Sequence, residues 1–196
     1  MVTTIRYGNT NTYLIRGSGA ALLVDTDYAG TLPGFYKAIK ASEIRVSDIK
    51  YVLCTHYHPD HCGIVGSLME QGTTLIVLEP QFDYVHYSDR IFAKDPRLDH
   101  SPIDESKAKI LPVAESRTFL KSIGIEGEII QVPSHSPDSV AVILDEGICI
   151  AGDLEPYEYL AAYSDNAALK ADWEKVLSFD PERICYAHAN EKILRG

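Results

Sequence analysis

Thr55-His56-Tyr57-His58-Pro59-Asp60-His61 sets three imidazoles and one carboxylate within six positions, with Gly63 just beyond. In an extended segment, side chains two residues apart share a face, so His56 and His58 point the same way and both can hold one metal ion. A tight bend over Pro59 would turn Asp60 and His61 toward a second, adjacent position. A zinc ion takes about four ligands, and a catalytic one leaves a position open. Four motif residues therefore cannot complete two ions, and the remaining donors must come from elsewhere in the chain.

Working outward, Lys50 to Cys54 reads as a short buried strand that ends just before His56. Glu128 to Val132 reads as a strand running into Pro133-Ser134-His135, Ile148 to Ala151 as one running into Gly152-Asp153, and Ile184 to Ala187 as one preceding His188. His135, Asp153 and His188 thus each follow an expected strand, which would place them along one sheet edge beside the motif. The seven candidates would supply three donors per ion plus one shared carboxylate, and a hydroxide between the ions would complete both.

The remaining segments set the frame. Thr12 to Arg16 and Ala20 to Thr26 are apolar β-rich runs joined by Gly17-Ser18-Gly19, a hairpin pattern. Leu32 to Ala41 has helical spacing, Ile64 to Gln71 reads as a short helix and Thr74 to Leu78 as a strand. Pro80 to Leu111 is the least regular stretch and is expected to form a lid. Ala114 to Ile123 sets Phe119, Leu120 and Ile123 on one helical face, and Val140 to Leu144 pairs with Ile148 to Ala151 across Asp145-Glu146-Gly147. Asn166 is the expected N-cap of a helix carrying Leu169, Trp173, Val176 and Leu177, which stops near Asp180-Pro181. This order predicts an α+β chain whose sheets carry helices on their outer faces, in one domain over residues 1–196.

The chain has 196 residues, 45% of them hydrophobic, enough for one core and too short for two. Eighteen Lys and Arg against 28 Asp and Glu give a net charge of −10, which repels nucleic acid and anionic membranes and leaves a small molecule as the expected partner. The start, MVTTIRYGNTNTYLIRG, lacks the basic and apolar pattern of a leader, and no run approaches the length of a membrane span. Cys54, Cys62, Cys149 and Cys185 form no C-x-x-C pair and suit the packed interior of a reduced, cytoplasmic protein.

Taken together, H-x-H-x-D-H at His56 to His61, VPSHSPDS around His135, AGD ending at Asp153 and YAHAN around His188 resemble the metallo-β-lactamase superfamily, in family order over nearly the whole chain. The resemblance implies a four-layer αβ/βα sandwich. It also implies that His56, His58 and His135 hold one metal, that Asp60, His61 and His188 hold the other, and that Asp153 bridges them. Val24-Asp25-Thr26 matches the family's V-D-T, which implies that Asp25 orients the metal site. Members often carry T-P-G-H-T-P-G and P-G-H-G where this chain has VPSHSPD, with Ser134 and Asp138 in place of Gly, and YAHA around His188.

Within the resemblance, the aspartate at Asp153 makes the chain look like the glyoxalase, lactonase and arylsulfatase side of the family rather than the true β-lactamases. Flavodiiron members place Glu where His58 stands and need a flavin domain. Ribonuclease members add a large insert or basic arm, and full-length hydroxyacylglutathione hydrolases add a C-terminal helical domain, neither of which is expected here.

The expected activity is a binuclear hydrolase whose metal-bridging hydroxide attacks an ester, thioester or lactone carbonyl, with Asp60 steering it and returning a proton. Zinc is the default ion, and iron and manganese also suit His and carboxylate ligands. Two alternatives stay open: a mononuclear iron enzyme resembling persulfide dioxygenases, and a non-catalytic metal-binding module. Among twelve tyrosines, Tyr157 and Tyr159, shortly after Asp153, are the expected substrate contacts by similarity to lactonases.

Overall fold

In the strands of the two central layers, consecutive residues are buried on opposite faces, so each strand reads as an unbroken apolar run rather than an alternating one. The computed structural model describes residues 1–163 and 165–195. One sheet takes β1 (Val2–Ile5), β2 (Thr12–Arg16), β3 (Ala21–Val24), β4 (Ile49–Leu53), β5 (Thr74–Leu78) and β6 (Lys109–Leu111) in chain order. Pairing is antiparallel as far as β3 and parallel from there to β6. The other sheet runs β7 (Gly127–Gln131), β8 (Val140–Leu144), β9 (Ile148–Gly152), β10 (Arg183–Tyr186) and β11 (Lys192–Ile193), with only β9 and β10 parallel.

Leu22, Val24, Leu53 and Ile76 of the first sheet meet Ile129, Val142, Leu144 and Ile150 of the second in one buried cluster, so the sheets pack face to face. On the outer face of the first sheet, Leu23, Val52, Leu75 and Val77 pack against Phe35 and Ile39 of α1 (Leu32–Ala41). A one-turn helix, α2 (Pro59–Cys62), leads into α3 (Val65–Glu70), whose Val65 and Leu68 join the same layer. Two further short helices are α4 (Asp89–Phe92) and α5 (Ser116–Ser122), the latter burying Phe119 and Leu120 between the sheets.

On the far side, α6 (Ala167–Leu177) lays Leu169, Trp173 and Val176 on Ile143, Cys149 and Ile184. Asn166 caps it as expected, its side-chain oxygen accepting from the Leu169 amide at 3.0 Å. The result is the αβ/βα order of layers.

Three strands lie outside the expected pattern. β1, β6 and β11 are short sheet-edge strands whose existence depends on a neighbour, Val2 opposite Ile15 and Lys109 opposite Ile76 among them. The segment expected as a lid is anchored, since Val85, Phe92 and Ile103 are buried with the α1 and α3 layer. Among the described residues, no helix is long and apolar enough to cross a membrane.

Candidate metal centre

The chain leaves the C-terminal ends of β3, β4, β7, β9 and β10 on one edge, the position where α/β sheets place their chemistry. The Val140 amide donates to the Thr55 carbonyl at 2.8 Å and so ties the two sheets together at this edge. His58 is extended, with φ −68° and ψ 154°, and Pro59 opens α2 directly after it. That turn sets Asp60 and His61 on α2, where the His61 ring stays 4.1 Å from the His56 ring, centre to centre, while its donors group with Asp60 and His188.

Two groups of donors result. One donor atom from each of His56, His58, His135 and Asp153 lies within 4.8 Å of every other, and the same holds for Asp60, His61 and His188. Asp153 stands between the groups. Its Oδ2 is 3.3 Å from His61 Nε2, 3.6 Å from His135 Nε2 and 3.7 Å from His56 Nε2, while its Oδ1 is 3.3 Å from His188 Nε2. His188 Nε2 is also 3.2 Å from Asp60 Oδ2.

The donors suit a cation. His56 Nε2 lies 2.9 Å from His58 Nδ1, which lies 3.2 Å from His135 Nε2, so three ring nitrogens converge on one place. Among the described residues, His61 Nε2 and Asp153 Oδ1 are buried with no well-formed hydrogen bond, only the 3.3 Å approaches to Asp153 Oδ2 and His188 Nε2, an arrangement that coordination would relieve. Imidazole and carboxylate donors of this kind fit zinc, iron or manganese.

The charges follow from the neighbours. The bond to His188 holds the Asp60 carboxyl down at about 2. Burial works to raise Asp153, but the His61 ring 3.3 Å away and the other imidazoles around it outweigh burial and bring the group to about 2. Burial likewise opposes charge on His61, yet Asp25 and Asp153 on either side raise it to about 10. Burial lowers His56 and His135, whereas the bond to Asp60 raises His188.

The residues behind the donors hold them in place. Asp25 is 1% exposed and sits at φ 60°, a left-handed conformation that Asp tolerates better than most residues. It accepts from the Thr55 amide at 2.6 Å and the Thr55 hydroxyl at 2.9 Å, and its Oδ2 lies 3.1 Å from His61 Nδ1. With Nδ1 engaged there, Nε2 is the ring nitrogen left to face Asp153. Gly152 has φ 58°, and a Cβ there would come within 2.5 Å of Thr55 Oγ1, so the residue before Asp153 must be glycine. Gly63, after the motif, leaves room for the Ala29 amide, which a Cβ would meet at 2.2 Å.

Four anchors escape the sequence reading. The Asp138 carboxylate accepts from the Tyr57 amide at 2.8 Å and from the Ser136 hydroxyl at 2.7 Å, locking the His135 loop to the backbone between His56 and His58. Gln81 donates to the carbonyls of Cys54 and Asp138, and Asp172 of α6 accepts from the Ser134 amide at 2.7 Å. Asn11 donates to the carbonyls of Tyr186 and Ala189 and holds the loop carrying His188. Of these, only Asp138 left a signal, as an acidic residue where relatives carry glycine.

A cleft of about 400 Å³ opens on the donors, lined by His135, Asp153, Glu155, Tyr159 and His188 among others. Tyr159 walls it, whereas Tyr157 packs edge-on against Trp173 at 5.3 Å and lines a separate cavity. Tyr87 lies 5.5 Å from the His58 ring, centre to centre.

A double-sheet sandwich with a His- and Asp-rich edge defines a class of metal-binding hydrolase-like proteins. The chain belongs to the metallo-beta-lactamase superfamily, whose family model matches residues 5–188. It is 28% identical over 187 residues to beta-lactamase-like protein 2 homolog of Drosophila melanogaster, covering 92% of this chain and 59% of that protein. It is 26% identical over 161 residues to thioesterase pkgB of Emericella nidulans, covering 76% of this chain and 40% of that one. The chain therefore spans less than two thirds of these relatives. Among solved structures, a metallo-beta-lactamase family protein from Thermus thermophilus superposes with a TM-score of 0.72 at 20% identity, over 98% of this chain and 74% of that one.

Proposed function

We propose that the chain is a metal-dependent hydrolase of small-molecule esters, thioesters or lactones, working with two divalent ions, zinc by default. The observation that carries this reading is the convergence of the donors in two adjacent groups with Asp153 between them. His56, His58 and His135 would hold one ion, Asp60, His61 and His188 the other, and Asp153 both. When bound, such a pair lowers the pKa of water toward neutrality and polarises a carbonyl oxygen.

The protein's own groups do the rest. Asp25 keeps His61 in the tautomer with Nε2 free, and Asp138 fixes the backbone between His56 and His58. Asp60 turns Oδ2 to His188 yet stays 36% exposed, so its carboxylate can take a proton from water and pass it to the leaving group. Tyr159 offers a ring to the substrate in the cleft. A net charge of −10 favours a small-molecule substrate over nucleic acid or an anionic membrane. Four buried free cysteines fit a reducing compartment, the cytoplasm. The name of the fungal thioesterase adds acyl thioesters to the first substrates to try.

The test is a panel of esters, thioesters and lactones assayed before and after chelation. Turnover that chelator abolishes and zinc or manganese restores is expected, with Asp60→Asn lowering kcat/KM by about 10²–10⁴-fold without unfolding. A chain holding two ions that hydrolyses nothing, or an Asp60→Asn variant running at the parent rate, refutes the reading.

A further inference from the structure

The cleft over the metal centre has a second part. A cavity of about 170 Å³, bordered by Ser134, Tyr163 and Asn166, shares His135, Asp153 and Glu155 with the larger one. Asp153 is committed to the imidazoles, which leaves Glu155 as the carboxylate common to both cavities. It lies two residues past Asp153, and Trp173 Nε1 donates to its carbonyl at 3.0 Å, fixing the backbone there. Among the described residues, the Glu155 side chain makes no ion pair and no hydrogen bond, and no Lys or Arg lines either cavity. Lys170 lines a separate cavity that shares Tyr163.

The walls are aromatic. Tyr159, 55% exposed, borders the larger cavity, and Tyr163, 47% exposed, borders the smaller. A half-buried carboxylate without a Lys or Arg partner, in cavities bordered by open phenol rings, attracts a positive charge by Coulomb's law and through the ring quadrupoles, against the charge of any ions held by His135 and Asp153. The carboxylate would oppose a substrate anion placed at the same point.

We propose that Glu155, with Tyr159 and Tyr163, is a specificity determinant selecting esters or thioesters that carry an ammonium group close to the scissile acyl bond. This rests on the hydrolase reading, and the test separates the two. The holoenzyme is assayed with acetylthiocholine and its uncharged carbon isostere, 3,3-dimethylbutyl thioacetate, which share one shape, so the ratio of their kcat/KM values reads charge alone. Binding of benzyltrimethylammonium, which has no lone pair to offer a metal, is titrated in parallel by tryptophan fluorescence.

At low salt the parent is expected to favour the cation about tenfold, roughly 1.4 kcal/mol, with the ratio falling toward one in Glu155→Gln and at high ionic strength. Benzyltrimethylammonium should bind about tenfold more weakly to Glu155→Gln. Thioester turnover with a ratio near one, or a ratio unchanged in Glu155→Gln, overturns the inference and leaves the hydrolase reading standing. Glu155-dependent binding of the cation with no turnover across the ester, thioester and lactone panel would sink the hydrolase reading and overturn substrate selection, leaving only a cation-binding cleft. A cation that binds parent and variant alike overturns it in either case.

Discussion

If the centre holds the two ions proposed above, replacing Asp25 by Asn should weaken the binding of one and spare the other. Asp25 takes three hydrogen bonds on two oxygens, from the Thr55 amide, the Thr55 hydroxyl and His61 Nδ1. The isosteric amide keeps one oxygen for the Thr55 amide at 2.6 Å but turns an NH2 toward His61. The Thr55 hydroxyl can rotate to accept, whereas the imidazole must shift its proton to Nε2, the nitrogen needed for coordination. A lost hydrogen bond to a charged group is worth about 1.5–3 kcal/mol, or roughly 10–150-fold in affinity. Partners standing behind metal ligands typically cost about 10–100-fold when removed, which agrees.

The assay is competition against a chromophoric chelator on the metal-free chain, with far-UV circular dichroism to show that the variant is folded. Two phases are expected, with only the ion assigned to His61 weakened and the ion assigned to His56, His58 and His135 within about threefold of the parent. A folded variant that binds both ions as the parent does, or loses both equally, refutes the reasoning.

Gly152→Ala places a side chain at φ 58° against the Thr55 hydroxyl, and backbone strain alone costs about 1–3 kcal/mol. Its denaturant midpoint should fall and its metal affinity with it; parent values for both would contradict the close approach. His86 stands between Asp89 and Glu105, and although burial opposes its charge, those two bonds raise it above 6.5. A raised folded pKa gives stability that is fully present below 6.5 and lost as pH rises through the folded value. The side chain is 44% exposed, so the contribution stays below about 1 kcal/mol. Amide protection in segment 86–105, taken relative to the intrinsic exchange rate at each pH, should fall over that window in the parent and lose this step in His86→Ala. A step that persists in the variant would assign it to another group.

Much of this was legible because the donors follow strands. The H-x-H-x-D-H run, and the strand ends before His135, Asp153 and His188, are local patterns, and local spacing alone separates the two groups over Pro59. Asp25 was readable from Val24-Asp25-Thr26 only through resemblance, since its partner His61 lies far along the chain, beyond α1 and β4. Gln81, Asp172 and Asn11 were not readable at all. Each acts on backbone groups distant in sequence, and a single buried Gln or Asn carries no periodic signal. The edge strands β1, β6 and β11 escaped for a related reason, because two to four residues become a strand only when a neighbour pairs with them. Tyr157 shows the reverse case, a residue near Asp153 in sequence that opens a short 3-10 turn and packs its ring onto Trp173.

Elemental analysis of the purified chain after exhaustive dialysis, repeated after reconstitution with zinc, bears most directly on the proposed two-ion centre. Two divalent ions per chain are predicted, with one lost when Asp60 and His188 are both replaced by Ala. A single iron per chain would contradict the account and point to oxygen-dependent chemistry, and no retained metal after reconstitution would contradict it outright.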